Sequence, residues 1–293
     1  MPLGFVSEFS WLAKTKMSSN IELSRHRGLR IVLLVNNWLG WQVVQWLKSQ
    51  GETIVGLVVH PGPRRKYGDE ILESACLEPE QVFDASELGS REVLQAIKAL
   101  KPDIGVSILF DYILKQEFLD LMPAECINLH PSLLPYNRGN YPNVWSIVEN
   151  TPAGATLHYL DSGIDTGDLI MQREVVVEPI DTGETLYHKL EEVCLNLFKE
   201  AWPLIRIGQA PRVKQPREVG TYHARRDVSK IDEIDLDATF TARNLINIIR
   251  ARTFSSYEAA YFREAGRKVY LRLQLQFADD LGAISDGNDN SNK

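Results

Sequence analysis

The alternation of apolar runs and amphipathic stretches in the first half of the chain predicts an α/β fold. Strands buried on both faces of a parallel sheet read as short, continuous apolar runs. Such apolar runs occur at 31–35 and 54–59, and two further strand-like stretches, each with one polar residue, occur at 104–109 and 126–129. Stretches with helix-like apolar spacing or composition lie between them, at 43–47, 93–100 and 115–121. This order predicts a doubly wound, mostly parallel sheet with right-handed crossovers.

The second half of the chain has a different pattern and predicts a small helix-plus-hairpin segment at its end. Two runs typical of strands, at 155–160 and 175–177, precede an amphipathic stretch at 185–206, which predicts a long helix with Thr182 or Thr185 as its N-terminal cap. Pro211 and Pro216 indicate a linker. Beyond the linker we expect one helix and a hairpin whose strands meet across residues 264–266; these elements lie at 242–251, 259–263 and 269–277.

These boundaries predict four parts of the chain. The N-terminal extension, 1–28, has no clear periodicity, and we expect it to be poorly ordered or foreign to the native protein, since Met17 could also begin the chain. A main domain at 29–210 and a small C-terminal domain at 211–277 follow. The tail at 278–293 is polar, acidic and rich in Gly and Asn, which predicts disorder.

Composition and charge narrow the class of protein. Hydrophobic residues make up 44% and charged residues 24%, as in ordinary globular proteins. The net charge of −7 gives the whole protein no basic excess with which to bind a phosphate backbone. The three cysteines are far apart, which suggests neither a disulfide framework nor a zinc site and fits a reducing cytoplasm. No apolar stretch approaches the length of a membrane span.

Candidate chemistry lies after the predicted strands, because open α/β sheets bind ligands outside the carboxyl ends of their strands. Residues 36–40, after the first strand, lack the glycine patterns of dinucleotide-binding and P-loop enzymes. The run at 126–129 leads directly into His130, so Asn128 and His130 point to one face of the sheet. An amide and an imidazole together can stabilise an oxyanion and transfer a proton. A core histidine beside a turn asparagine is the alternative.

The segment 161–168 places three carboxylates and two glycines in eight residues. Calcium binding is weakly indicated, because the segment lacks the closing Glu of an EF-hand loop. A carboxylate in this segment can instead orient His130, as an acid partners a catalytic imidazole.

Two motifs in this order carry a resemblance to a known family. Asn128-x-His130 followed by Pro-Ser-Leu-Leu-Pro, and then Asp161-x-Gly163-x-Asp165-x-Gly-Asp, resembles the signature of 10-formyltetrahydrofolate-dependent formyltransferases. The resemblance covers about 29–208. It implies that Asn128, His130 and Asp165 are catalytic. In that family a substrate amine attacks the formyl carbon, so Asn128 and protonated His130 would stabilise the oxyanion, and Asp165 would hold His130 and assist proton removal; no metal is implied.

The resemblance also implies binding residues. The family's pterin pocket is built largely from main-chain groups of two loops, which here correspond to Tyr112, Ile113, Leu114, Leu160, Asp161, Ser162, Gly163 and Ile164. His158 matches a family histidine near that pocket, and a packing role fits it equally well. The substrate-binding residues that the resemblance implies are Arg138, Gly139, Tyr222, His223 and Arg225.

The segment 211–277 bears on the choice of substrate. Its presence argues against the purine-synthesis enzyme of this family, which is essentially a catalytic domain alone. The segment has 13 Lys or Arg and 8 Asp or Glu, which suits any phosphate-bearing partner. It is too short for the OB-type barrel of methionyl-tRNA formyltransferases. Its amino-acid sequence around residues 222–227 and 249–254 resembles the C-terminal segment of nucleotide-sugar N-formyltransferases.

The resemblance therefore predicts a cytoplasmic enzyme that transfers a formyl group from 10-formyltetrahydrofolate to an amino-deoxy-sugar nucleotide, for O-antigen or other surface polysaccharides. A methionyl-tRNA formyltransferase and a non-catalytic folate-binding or regulatory homologue stay open as alternatives. We also expect a homodimer joined through the C-terminal hairpin, with no nucleic acid or membrane partner. A two-stranded hairpin is marginal alone, and this one carries an apolar stripe that needs a cover: Val269, Leu271, Leu273 and Leu275.

Overall fold

The computed structural model describes residues 28–216 and 219–279. Its strands are β1 (Arg30–Val35), β2 (Thr53–Val59), β3 (Val82–Asp84), β4 (Ile104–Ile108), β5 (Cys126–His130), β6 (Arg138–Gly139), β7 (Ala153–Tyr159), β8 (Leu169–Val175), β9 (Tyr222–His223), β10 (Tyr261–Glu264) and β11 (Arg267–Tyr270). Its α-helices are α1 (Asn37–Ser49), α2 (Gly68–Ala75), α3 (Arg91–Ala99), α4 (Gln116–Leu119), α5 (Pro142–Val148), α6 (Gly183–Arg206) and α7 (Ala242–Ala251). The predictions for 1–27 and 280–293 fall outside the described residues.

Seven strands form one mixed sheet in the order β3-β2-β1-β4-β5-β7-β8. The five strands from β3 to β5 run parallel, and β7 and β8 are antiparallel to their neighbours. The predicted doubly wound, mostly parallel α/β fold is therefore confirmed. Because β1 begins the chain's sheet and later strands add on both sides of it, the carboxyl ends of β1 and β4 lie where the winding changes direction, which is where such folds bind ligands.

Alternate residues of the central strands fill two cores, one on each face of the sheet. Ile31, Leu33 and Val35 of β1 face a core that α1 and α6 complete, whereas Val32 and Leu34 face the core completed by α3 and α4. A strand buried on both sides needs apolar residues at every position, which explains the continuous runs in the sequence. The helices in turn fix the loops that leave the carboxyl edge of the sheet.

The long helix α6 begins as predicted at Thr182. Thr182 Oγ1 accepts from the Thr185 backbone N–H at 3.2 Å, and Thr185 Oγ1 accepts from the Thr182 N–H at 3.0 Å, which forms a capping box. Within the described residues no helix is both long and apolar enough to cross a membrane.

Several predicted bounds are wrong. The strand predicted at 175–177 lies earlier, at Leu169–Val175, because its pairing with β7 sets the register and Val176 is already 76% exposed. β8 is an edge strand with polar residues in its second half, so its apolar run is short. The helix predicted at 115–121 shortens to Gln116–Leu119. The sequence patterns did not reveal α2, α5 or β3.

The C-terminal segment contains the predicted helix α7 and a hairpin, β10–β11. The hairpin turns at Ala265 and Gly266, both with positive φ, as a tight two-residue turn requires. The second strand was predicted at 269–277 and instead spans Arg267–Tyr270, because the turn sets the pairing of Tyr261 with Tyr270. Beyond Tyr270 the backbone makes one further ladder bond, from Leu271 N–H to the Ala260 carbonyl at 2.7 Å.

A second small sheet joins the linker to the main domain. β6 and β9 pair in parallel, Arg138 with Tyr222 and Gly139 with His223. Gly139 has a φ of +87°, and a side chain there would collide with the His223 carbonyl, so this close approach requires glycine. The His223 ring stacks on Trp145 of α5, with centroids 4.0 Å apart, and its Nε2 lies 3.2 Å from Glu149 Oε2. The linker is therefore tied to the carboxyl edge of the large sheet.

Candidate active site

The three predicted catalytic residues meet at the carboxyl edge of β5. Asn128 and His130 lie two residues apart on β5, so their side chains share one face of the sheet. Asp165 lies in the loop between β7 and β8, and the antiparallel pairing of β7 with β5 brings that loop back over them. Asn128 pairs directly with His158 across the two strands.

The Asp165 carboxylate is the centre of this cluster. Its Oδ2 accepts from the Gly139 backbone N–H at 2.8 Å and lies 3.7 Å from His130 Nδ1. Its Oδ1 lies 3.5 Å from His158 Nε2 and 3.4 Å from Asn128 Nδ2. Two imidazoles, an amide and a backbone N–H therefore surround one carboxylate.

These neighbours decide the charge of Asp165. Burial alone raises the pKa of the Asp165 carboxyl, but the positive charge on His130, the hydrogen bond and charge of His158, and the Gly139 N–H outweigh it. The net effect holds the pKa of Asp165 well below its usual range. Asp165 is therefore a buried carboxylate that stays ionised at neutral pH.

Backbone carbonyls orient both histidines. His130 Nε2 lies 3.1 Å from the Asn137 carbonyl, and His158 Nδ1 lies 2.7 Å from the Tyr159 carbonyl. A carbonyl only accepts, so each of these ring nitrogens carries a proton. This leaves His130 Nδ1 facing Asp165, while His158 Nε2 faces Asp165 and, at 3.2 Å, the Asn128 amide.

The loop that carries Asp165 has a tightly fixed backbone. Asp165 itself has a φ of +53°, which is uncommon for a residue with a side chain. Gly167 is required because a Cβ there would collide with the Tyr159 carbonyl. Asp161 Oδ1 accepts from the Gly163 N–H at 3.0 Å and from Thr166 Oγ1 at 2.6 Å, which closes the turn.

The residues predicted to bind the cofactor lie in two loops, of which the first leaves the carboxyl end of β4 and the second begins beside Cys126 at the amino end of β5. Tyr112, Ile113 and Leu114 follow β4, and residues 160–164 follow β7. Tyr112, Leu114 and Leu160 are half-buried against one core cluster, whereas Ile113 is 73% and Ile164 38% exposed. Tyr112 and Ile113 also line a cavity of about 550 Å³ bounded by α3 and α4, which contains none of Asn128, His130 and Asp165.

The structure brings four of the five residues predicted to bind substrate together and places the fifth, Arg225, elsewhere. Pairing of β6 with β9 brings together Arg138, Gly139, Tyr222 and His223, of which Tyr222 is exposed and His223 is buried. Arg225 is exposed and lies 3.6 Å from Asp111, next to Tyr112. The Arg138 guanidinium is directed inwards: its Nε donates to the Asp165 carbonyl at 3.2 Å and its Nη2 to Gln215 at 2.7 Å.

Sequence patterns did not identify Gln215, although it contacts the loop of Asp165 directly. Gln215 lies in the linker, 50 residues from Asp165 along the chain, and no motif or periodicity marks it. His158 was assigned either to the pocket or to packing; it is fully buried and contacts both Asn128 and Asp165. Strand pairing between β5 and β7 is the signal that places it there.

The fold and the site are those of an α/β enzyme with an Asn–His–Asp cluster at the carboxyl edge of a mostly parallel sheet. Comparison with known proteins shows to which family of such enzymes the chain belongs. The formyl transferase family matches residues 42–201, more than half of the chain. The chain belongs to this family. A second match, over 227–276, is to the N-formyltransferase dimerization C-terminal domain.

The individual relatives include formyltransferases with two kinds of name. A dTDP-4-amino-4,6-dideoxyglucose formyltransferase of Mycobacterium tuberculosis is 34% identical over 154 residues, which is 52% of this chain and 65% of that relative's length. A methionyl-tRNA formyltransferase of Clostridioides difficile is 29% identical and aligns over 88% of this chain and 85% of its own. Among solved structures, a 4-N formyltransferase from Francisella tularensis has a TM-score of 0.73 and 30% identity over 85% of this chain and 98% of its own.

Proposed function

We propose that the protein transfers a formyl group from 10-formyltetrahydrofolate to the amino group of an amino-deoxy-sugar nucleotide. The observation that carries this proposal is the contact of Asn128, His130 and His158 with one buried, ionised carboxylate, Asp165. Acyl transfer to an amine needs hydrogen-bond donors for a developing oxyanion and a base for the amine proton, and this cluster contains both.

Each residue of the cluster has a distinct part in this proposal. The amide of Asn128 and the imidazole of His130 donate hydrogen bonds to an oxygen that gains negative charge as the amine attacks; His130 does so by exchanging the bond from Nε2–H to the Asn137 carbonyl for a bond to that oxygen. Asp165 orients His130 and, as a carboxylate, stabilises a proton on that ring. Collapse of the tetrahedral adduct would break the bond between the formyl carbon and the nitrogen of the folate, and the proton that the amine loses would pass by way of His130 to that leaving nitrogen. Asp165, which stays ionised at neutral pH, would assist this proton removal by stabilising the proton on the His130 ring.

The two loops also fit the folate cofactor, which would supply the formyl group. Ile113 and Ile164 expose apolar side chains in these loops, which a planar ring can cover. Tyr112, Leu114 and Leu160 support these loops from one core. We assign the cofactor to these loops, with main-chain groups of 112–114 and 160–164 as its partners.

The choice of a sugar nucleotide rests on the C-terminal segment and on relatives. The mycobacterial relative acts on dTDP-4-amino-4,6-dideoxyglucose by its name, and the segment 227–276 matches the domain of N-formyltransferases. Tyr222 is exposed on β9, which pairs with β6 next to the cluster, and Arg225 is exposed 3.6 Å from Asp111; both are our candidates for contact with the nucleotide sugar. We further propose a cytoplasmic homodimer, with catalytic and C-terminal domains at 29–210 and 211–277, that serves surface polysaccharide synthesis.

Formylation of methionyl-tRNA is the second candidate, because the clostridial relative aligns over most of both chains. Within the described part of 211–279, the strands are the two-residue β9 and the four-residue β10 and β11. These strands are too few for an OB-type barrel, which favours the smaller acceptor.

One experiment separates these candidates. The protein is incubated with 10-formyltetrahydrofolate and, in parallel, with a panel of 3- and 4-amino-deoxy-sugar nucleotides or with methionyl-tRNA, and the products are weighed by mass spectrometry. Formylated sugar nucleotide supports the proposal. Formyl-methionyl-tRNA, with an affinity that falls steeply as salt rises, overturns the choice of acceptor. Cofactor binding without transfer to any of these amines would identify a folate-binding homologue instead.

A further inference from the structure

Gln215 holds the backbone of the Asp165 loop from the linker. Its side chain is buried, and its amide Nε2 donates to the Asp165 carbonyl and to the Gly167 carbonyl, both at 2.8 Å. The residue lies between the two segments that match the family, 42–201 and 227–276. It therefore reaches the cluster from a part of the chain to which no role has been assigned.

Arg138 completes this arrangement. Its Nη2 donates to Gln215 Oε1 at 2.7 Å, and its Nε donates to the same Asp165 carbonyl at 3.2 Å. The bond from Arg138 fixes the orientation of the Gln215 amide, because only Oε1 can accept. Both protons of the Gln215 NH₂ group are then directed at the loop. The Asp165 carbonyl thus receives hydrogen bonds from two side chains.

The conformation of Asp165 explains why these bonds matter. A residue with a side chain holds a φ of +53° only where its surroundings impose it. Rotation of this backbone would carry the carboxylate away from His130 and from the Gly139 N–H, 2.8 Å from Oδ2. The hydrogen bonds to the carbonyl and those to the carboxylate therefore act on the same residue from opposite sides.

We propose that Gln215, oriented by Arg138, is a positioning residue that keeps the Asp165 carboxylate in contact with His130 and Asn128. Gln215 touches neither of these side chains and acts through the Asp165 backbone. The charged and titratable groups around Asp165 are His130 on β5, His158 on β7 and Arg138 on β6. The proposal rests on the proposed function only for its kinetic readout.

The test compares Gln215→Leu and Gln215→Glu with the wild type and with Gln81→Leu. Leucine removes both donors at similar volume, and glutamate directs an oxygen at two carbonyls. Gln81 is the matched control, because its Nε2 also donates to a backbone carbonyl, that of Val55, at 3.0 Å. We expect both Gln215 variants to lose roughly 10- to 100-fold in kcat, with KM for each substrate within about threefold, and Gln81→Leu to keep the wild-type kcat.

A second readout does not depend on activity. The imidazole ¹⁵N signals of His130 and His158 should shift in Gln215→Leu and stay in place in Gln81→Leu. Unchanged imidazole signals, an unchanged kcat, or a raised KM at constant kcat in the Gln215 variants would overturn the proposal. If Gln215→Leu fails to fold, Gln215→Glu decides. If the wild type formylates no amine, the proposed function fails, and the imidazole signals alone decide whether Gln215 positions Asp165.

Discussion

Asn128 and His158 lie opposite each other on antiparallel strands, and Asn128 Nδ2 is 3.2 Å from His158 Nε2. Because His158 Nδ1–H is held by the Tyr159 carbonyl, the ring is fixed with Nε2 directed at both the Asn128 amide and the Asp165 carboxylate. This contact fixes which way the amide of Asn128 points. His158 is therefore more than a filler of the core.

We expect His158→Phe to lower kcat by about tenfold, the effect of one lost hydrogen bond on the orientation of Asn128. Phenylalanine keeps a ring at this buried position, so the fold should survive, which circular dichroism checks. His188→Phe is the control, because His188 lies on the outside of α6 with a side chain 61% exposed. Equal kcat values for the two variants would contradict an orienting role for His158.

Asn128→Ala and His130→Ala should each lower kcat on the order of 10²–10³-fold, because each removes a donor from the same developing charge. The double variant should lose clearly less than the product of the two single losses, since residues that act as a unit are not additive. Steady-state kinetics on all three variants measure this. Near wild-type turnover in either single variant, with its fold intact, would remove that residue from the catalytic role.

Stability should depend on pH through Asp165. The folded state holds the pKa of Asp165 below its value of 3.8 in model compounds, so the stabilisation is fully present above about pH 4 and is lost as pH falls through the lower, folded value. The difference in unfolding free energy between the wild type and Asp165→Asn should therefore be larger at pH 6 than at pH 3. Urea titrations at both values measure it.

Asp161→Asn is the matched control for this pH dependence. Asp161 is an exposed carboxylate in the same loop, and asparagine keeps the Oδ1 that accepts from Gly163 and Thr166. Its difference from the wild type should change little between the two pH values. A difference for Asp165→Asn that grows towards pH 3 would show that the sign is wrong.

The dimer should depend on one face of the chain after β11. Leu271, Leu273 and Leu275 are half-buried and alternate with exposed Arg272 and Gln274. Leu271→Asp with Leu273→Asp would place unpaired carboxylates in an apolar interface, so we expect the dimer dissociation constant to rise at least about 100-fold.

Sedimentation equilibrium compares this pair with Arg272→Asp and Gln274→Asp on the opposite face, which should leave the dimer intact. A wild-type monomer at micromolar concentration would rule out the dimer. A dimer that survives the two leucine substitutions would show that the interface lies elsewhere.

The sequence predicted the sheet well because burial on both faces leaves a direct trace in it. β1 is a continuous apolar run and β4 is interrupted only by Ser107, and both form where expected. The sequence did not predict α5, because this helix is only seven residues long and starts at Pro142, directly after Tyr141, which has a positive φ. β8 pairs with β7 along a stretch that includes polar residues, so the apolar pattern of the sequence did not show where β8 begins.

Only those residues of the candidate site that belong to a local sequence motif were predicted. Asn128 and His130 share a strand, so their common face followed from their spacing alone. Gln215 could not be found in this way, because its contact with Asp165 spans 50 residues and depends on how the linker crosses the sheet edge. Contacts of this kind are set by tertiary structure and leave no local pattern.

Because β6 pairs with β9, the residues that form the large sheet and the residues that support the candidate site belong to different parts of the chain. A chain cut after residue 210 would keep the seven-stranded sheet and both of its cores, yet would lack Gln215 and His223. Exchanging C-terminal segments between relatives to change the acceptor would also exchange these supports of the Asp165 loop. A graft of the C-terminal segment therefore has to carry residue 215 with it for the Asp165 loop to keep the hydrogen bonds that Gln215 donates.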